Sequence, residues 1–214
     1  MKASNLIAAL SLVVPSIALA QEDTSITAKH APVKSAFEIG VGAGYTQGVG
    51  EMGANLADLD DVAGPGGAVE VQLGYRIIPQ LTVGAYGTFA GFDRGDALAS
   101  ETNVMGAGAG VQAVWHILPD REIDPWVSLG AGWKGLWLDP DSGKATSLQG
   151  IDFARLQVGA DYRISKDVAI APVLGGSLGT FLAADSPMTT EYTEIDDKQV
   201  SFTGFAGLAG RFDL

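Results

Sequence analysis

The chain has 214 residues and a formal net charge of −12, with 13 basic against 25 acidic side chains and no cysteine. That balance excludes a phosphate-binding surface of clustered Lys and Arg, so nucleic acid is not an expected partner. Without cysteine no disulfide supports the fold, and stability must come from a core or a backbone ladder.

Residues 1–20 read as a secretory signal peptide. Lys2 supplies the positive start, Leu6 to Val14 the apolar stretch, and Ala18-Leu19-Ala20 the small-x-small site that places cleavage between Ala20 and Gln21. The apolar stretch is too short for a membrane helix, and no later stretch approaches the roughly 18 apolar residues a spanning helix needs. No Cys follows it, so it is not a lipoprotein signal. Residues 21–35 form a short polar tail on the periplasmic side. Residues 36–214 then suit a single domain.

From residue 37 onward the dominant signal is alternation with period two, the mark of β-strands. Eight runs are expected, near 37–49, 66–77, 81–91, 104–117, 126–137, 151–164, 168–181 and 200–214. Several exceed the five or six residues usual in soluble sheets and match the ~9–11 residues of a tilted membrane-spanning strand. The 29 glycines lie mostly inside these runs and so belong to the sheet. Connections alternate between short, as at Ile78-Pro79-Gln80, Leu118 to Ile123 and Ser165-Lys166-Asp167, and long, near 50–65, 92–103, 138–150 and 182–199. Short turns on one side and long loops on the other is the outer-membrane arrangement, with the long loops outside the cell. These loops are acidic: Glu51, Asp58, Asp60 and Asp61 lie in the first, and Asp185, Glu191, Glu194, Asp196 and Asp197 in the last.

Alternation by itself does not say which face is buried. A soluble lipocalin-like barrel turns its apolar face inward; a membrane barrel turns it outward. Two features favour the membrane. The non-apolar face carries Glu38, Glu70, Arg76, Lys134, Arg155, Asp161, Arg163 and Arg211 among many glycines, a set that can pair inside a narrow lumen. The aromatics gather towards strand ends: Phe37, Tyr75, Trp115, Tyr162 and Phe212 at one, Tyr45, Phe89, Trp133, Trp137, Phe153 and Phe202 at the other. Two aromatic girdles around an aliphatic band suit the two membrane interfaces. Phe153 and Phe202 need a register shift to share a face with their strands' other apolar residues. Pro172, inside the seventh run, calls for a bulge or a local loss of pairing, because a closed barrel has no free edge to excuse a missing N–H.

The chain holds no obvious catalytic constellation. Of its two histidines, His30 lies in the tail and His116 on the inward face as a hydrogen-bonded wall residue, with no His-x-Ser pairing. Asp139-Pro140-Asp141-Ser142-Gly143 fails the calcium-loop count, with Gly fifth and Gly150 at the twelfth position, and reads as a turn. Gly40-Val41-Gly42-Ala43-Gly44 and Gly106-Ala107-Gly108-Ala109-Gly110 lack the following helix and the Lys of a nucleotide loop. No metal, cofactor or catalytic residue is expected.

Asp124-Pro125-Trp126-Val127-Ser128-Leu129-Gly130-Ala131-Gly132-Trp133, Leu156-Gln157-Val158-Gly159-Ala160-Asp161-Tyr162-Arg163 and the closing Gly207-Leu208-Ala209-Gly210-Arg211-Phe212 resemble strands of the eight-stranded outer-membrane barrels, the OmpA/OmpX/OmpW-like group. The resemblance covers residues 36–214 and specifies architecture, not subfamily. It implies an all-β, eight-stranded antiparallel up-and-down transmembrane barrel. It also implies outer-membrane lipids and lipopolysaccharide as surroundings, and the barrel-assembly machinery as a partner that reads the last strand. Leu214 stands where the group usually ends in Phe, with Phe212 two positions earlier. No peptidoglycan-binding domain follows the barrel. The expected function is non-enzymatic, structural or surface-interacting, with the lumen largely filled. The alternatives are a narrow channel for small hydrophobic solutes, a lipid-modifying enzyme that depends on His116, and a soluble periplasmic binding barrel.

Overall fold

A computed structural model describes residues 35–53, 56–98, 101–141, 145–185 and 192–214. The expected signal peptide, with Ala20 and Gln21, lies outside them, as do the tail up to residue 34 and Ser142 and Gly143 of the Asp-rich turn.

Among the described residues nine strands and one short helix follow in chain order: β1 (Phe37–Val49), α1 (Leu59–Val62), β2 (Ala63–Ile78), β3 (Leu81–Arg94), β4 (Thr102–His116), β5 (Ile123–Pro140), β6 (Thr146–Arg163), β7 (Val168–Asp185), β8 (Tyr192–Glu194) and β9 (Ser201–Asp213). Each strand from β1 to β7 pairs antiparallel with the next, and β9 pairs with both β7 and β1. Eight strands therefore close on themselves. The ninth, β8, is a short return strand hydrogen-bonded to the far end of β7. Among the described residues no helix is long and apolar enough to cross a membrane, a test that does not bear on strands.

The sequence pattern explains which side faces out. In β9 the outward positions are Phe202, Gly204, Ala206, Leu208, Gly210 and Phe212, and Leu208 is 70% exposed. Val69, Val71, Leu73 and Tyr75 do the same on β2, and Val111, Leu129, Leu156 and Leu174 on β4 to β7. The opposite faces hold buried Glu38, Glu70, Arg76 and Arg211. A barrel with its apolar side chains outside and its charges inside is built for a lipid surround, so the soluble binding barrel is excluded.

The strands run longer than expected on the loop side. β5 extends to Pro140, β6 begins at Thr146, and β7 continues to Asp185. Their backbone groups stay paired beyond the apolar belt, which converts much of the expected loops into ladder. Asp139 and Pro140, expected in a turn, are the end of β5. On the other side β5 begins at Ile123, three residues before the expected start, which brings Asp124 into the barrel beside Trp126.

Two irregularities have local causes. Register shifts around Asp152 to Arg155 on β6, opposite Gly130/Gly132 of β5, let Phe153 and Leu156 both face outward although their parity differs. A bulge inserts one residue and so flips the alternation. Phe202 shares its face with Leu208 and Phe212 without any shift. At Pro172 the ladder to β9 is continuous, while the ladder to β6 skips from Gly159↔Val173 to Tyr162↔Ile170 in unchanged register. The missing N–H thus costs a short break and not a bulge.

Two outcomes follow. Residues 21–214 refolded from urea should give a β-rich species with heat-modifiable gel mobility only when detergent or lipid is present; folding in plain buffer would contradict the outward apolar face. Leu208→Arg, in mid-belt, should lower the unfolding free energy in vesicles by about 2–4 kcal/mol, read by urea titration.

Candidate functional site: the barrel lumen

The lumen is organised in tiers along the barrel axis, because inward positions of neighbouring strands sit side by side in register. The periplasmic tier comes from the strand ends near the short turns. Arg76 of β2 donates from Nη2 to Glu38 Oε2 of β1 at 2.6 Å and from Nη1 to Asp213 Oδ2 of β9 at 3.0 Å. Arg163 of β6 also donates to Asp213 Oδ2, at 3.1 Å. Arg211 of β9 donates to Glu38 Oε1 at 3.2 Å and places its Nε 3.4 Å from Asp161 Oδ1. Its guanidinium stacks 4.2 Å from the Trp126 ring centre, and Trp126 donates its indole N–H to Asp161 at 2.8 Å. The result is a cross-linked plug that ties β1, β2, β5, β6 and β9 together. Each charge in it has an opposite partner, which is the condition for holding ions in a narrow, dry interior.

His116 belongs to this tier. Its Nδ1 lies 2.7 Å from Asp124 Oδ2, and Arg211 Nη1 sits 3.4 Å from its Nε2. With Arg211 donating to Nε2, the ring proton is on Nδ1 and is donated to Asp124. The other Asp124 oxygen accepts from the Leu118 backbone N–H at 3.0 Å, which anchors the turn after β4. His116, Asp124 and Asp161 bring their donor atoms within 4.8 Å of one another, a spacing suited to a metal ion. The Arg211 guanidinium contacts both His116 and Asp161 and would repel a cation there, so an organic cation already satisfies this carboxylate set.

A middle tier is built around Glu70 of β2. Arg155 of β6 pairs with Glu70 and donates to Gln112 Oε1 at 3.1 Å; Gln72 and Gln157 also donate to Glu70. Arg155 stacks 4.1 Å from the Tyr86 ring. That ring lies along the β4–β5 wall, where a Cβ at Gly132 would come 2.7 Å from its hydroxyl. Higher still, Lys134 of β5 donates to Ser201 Oγ at 2.8 Å, stands 4.3 Å above the Phe181 ring, and is 3.7 Å from Asp152.

Above these tiers the lumen turns apolar. Met52, Leu59, Val62, Val104, Leu136, Leu148, Phe181 and Ile195 form a buried cluster at the loop end, with α1 laid across it. Outside the barrel, Lys198 Nζ donates to Glu194 Oε1 at 2.7 Å and holds that carboxyl below its ordinary range.

The eight inward residues expected from parity, Glu38, Glu70, Arg76, Lys134, Arg155, Asp161, Arg163 and Arg211, are all buried. The aromatics Phe37, Tyr45, Tyr75, Phe89, Trp115, Trp133, Tyr162, Phe202 and Phe212 are exposed on the outer surface, and Trp137 is half-buried edge-on to Trp133 at 5.9 Å. The expected set omits Asp213, Asp124, Asp152, Tyr86 and Trp126. Asp213 shares parity with Arg211, and Trp126 with Ser128 and Lys134, so alternation could have found them. The apolar cap had no such signal, since it is assembled from loop residues and strand ends far apart in sequence.

Removing one partner of a buried ion pair strands the other charge. Arg76→Met should therefore destabilise the barrel in vesicles by about 3–5 kcal/mol. Urea titration followed by gel mobility checks this, and a loss below about 1 kcal/mol would mean the plug is not closed around Arg76.

Neither a protein-family model nor a curated protein sequence matches the chain. Solved structures do match it in fold. Neisserial surface protein A is 13% identical, with a TM-score of 0.58 over 83% of this chain and 97% of its own. The outer membrane protein OprG of Pseudomonas aeruginosa is 10% identical, with a TM-score of 0.50 over 86% and 98%. The outer membrane protein AlkL is 12% identical, with a TM-score of 0.50 over 86% and 92%. With its closed ladder, outward apolar belt and ion-paired interior, the chain has the fold of the small outer-membrane barrels, an eight-stranded antiparallel transmembrane β-barrel.

Proposed function

We propose that the protein is a non-enzymatic, non-conducting barrel of the outer membrane, with a structural role and acidic loops for contacts outside the cell. The observation that carries this is the periplasmic plug. Arg76, Arg163 and Arg211 interlock with Glu38, Asp161 and Asp213 across the lumen, and Trp126, Val114, Ala171 and Val173 fill the space beside them. An eight-stranded barrel has little width to spare once such side chains occupy it. The outward aromatics act as the two interfacial girdles, held by lipid headgroups and lipopolysaccharide. The barrel-assembly machinery receives the strand that ends at Phe212 and Leu214. His116 serves the plug through Asp124 and Arg211, a structural duty that leaves it without a nucleophile to activate.

Planar-bilayer recording tests the reading. The wild-type barrel should show no resolved conductance steps, and the paired change Arg76→Ala with Arg211→Ala should introduce them. Open steps in the wild type would replace this reading with the narrow-channel one.

A further inference from the structure

The charges of the periplasmic plug do not cancel. Among the described residues, its buried cations are Arg76, Arg163 and Arg211, and its buried carboxylates are Glu38, Asp124, Asp161 and Asp213. Three against four leaves one negative charge in excess. The tiers above do not offset it, since Glu70 pairs with Arg155 and Lys134 with Asp152. A buried charge without a counter-charge is strongly destabilising.

The excess falls at Asp124. This residue is fully buried, and among the described residues its one ion-pair contact is to His116 Nδ1, at 2.7 Å. An imidazole supplies a positive charge only when it holds a second proton. Beside this pair lies an acceptor still to be used. Asp161 is 1% exposed, its Oδ1 accepts from Trp126 at 2.8 Å, and its Oδ2 has no hydrogen-bond partner among the described residues. His116, Asp124 and Asp161 each bring a donor atom within 4.8 Å of the others. The surrounding tier presents Glu38 from β1, Arg76 from β2, Arg163 from β6, and Arg211 and Asp213 from β9. From β3 and β7 come Thr82, Ala169 and Ala171, none of them charged.

We propose that His116, Asp124 and Asp161 bind one proton as a unit, and that this proton completes the plug and makes it pH-sensitive. With it, three guanidinium groups and one imidazolium meet four carboxylates. The Nδ1–H stays on Asp124, and the added Nε2–H turns to Asp161. Arg211 gives up only its 3.4 Å contact to Nε2 and keeps Glu38 Oε1 at 3.2 Å. A water molecule could serve the free oxygen of Asp161 but would bring no charge. A divalent ion would bring one charge too many, next to Arg211. Because the three groups are coupled, the proton belongs to the set and not to any one member.

The sign of the pH dependence follows. In the unfolded chain the three side chains are apart, and an ordinary imidazole gives up its proton near pH ~6.5. Above that range the folded barrel holds one proton more than the unfolded chain, so stability falls as pH rises.

Urea titration of the barrel in vesicles of zwitterionic phosphatidylcholine, read by gel mobility between about pH 7 and pH 9, tests this. The wild-type folding constant should fall with rising pH, by up to about tenfold per pH unit. Asp124→Asn leaves three carboxylates against three arginines and keeps an oxygen for the Leu118 N–H. Its folding constant should stay within about twofold over the same range. His116→Gln removes the imidazole and should be equally flat; if it fails to fold, Asp124→Asn decides. A flat wild-type profile would overturn the proposal, since no proton would then be linked to folding. A slope that survives either substitution would overturn it as well, because the proton would sit on other groups. Neither result touches the conductance measurement, so the bound proton and the non-conducting barrel stand or fall separately.

Discussion

Closure of the backbone ladder is the constraint from which the rest of this structure follows. In a hydrocarbon surround an unpaired N–H or C=O has no water to turn to, so the sheet must leave no edge. Here β1 finds β2 on one side and β9 on the other, in register from Glu38↔Asp213 to Val49↔Phe202. Once the ring is closed each strand has one face to lipid and one to the lumen, and alternation becomes obligatory. At Pro172 the pairing of its neighbours with β6 is left open while β9 holds the strand on the other side.

Closure also sets the electrostatic problem. Eight strands enclose a narrow interior, and the inward face carries Arg, Lys, Asp and Glu at several heights. Such charges remain inside only if each meets an opposite partner in good geometry. The periplasmic tier meets this condition through shared acceptors: Asp213 serves Arg76 and Arg163, and Glu38 serves Arg76 and Arg211. Shared acceptors cross-link strands that are far apart in the chain and make the plug one unit. The same side chains occupy the lumen at this height, so the pairs that hold the strands together also fill the space between them. Towards the loops the inward residues shrink to Ala and Gly, the charges thin out, and the lumen opens into a chamber under an apolar cap.

Eight runs of period two, long strands, alternating short and long connections and an aromatic-flanked apolar face were all legible along the chain, because the pleat makes side-chain direction a function of parity alone. Parity likewise put Glu38, Arg76, Lys134 and Arg211 inside. It could not say that Arg76 would meet Asp213, a residue 137 positions away. Nor could it locate the shift near Asp152 that lets Phe153 and Leu156 share the outer face, since a bulge breaks the rule on which the reading rests. Asp124 was lost to a boundary error, because Pro125 makes the start of β5 look like a turn.

What the sequence determined by itself is local: which residues are extended, which of two faces each occupies, and that the apolar face suits lipid. The pairing of charges, the apolar cap drawn from Met52, Leu59, Leu136 and Ile195, and the unfilled height at Ala68, Ala90 and Gly106 were decided only in three dimensions. The reason is physical. Strand direction is dictated by neighbouring atoms along the chain, whereas height within the barrel depends on the register of closure, a sum over eight strands and their turns.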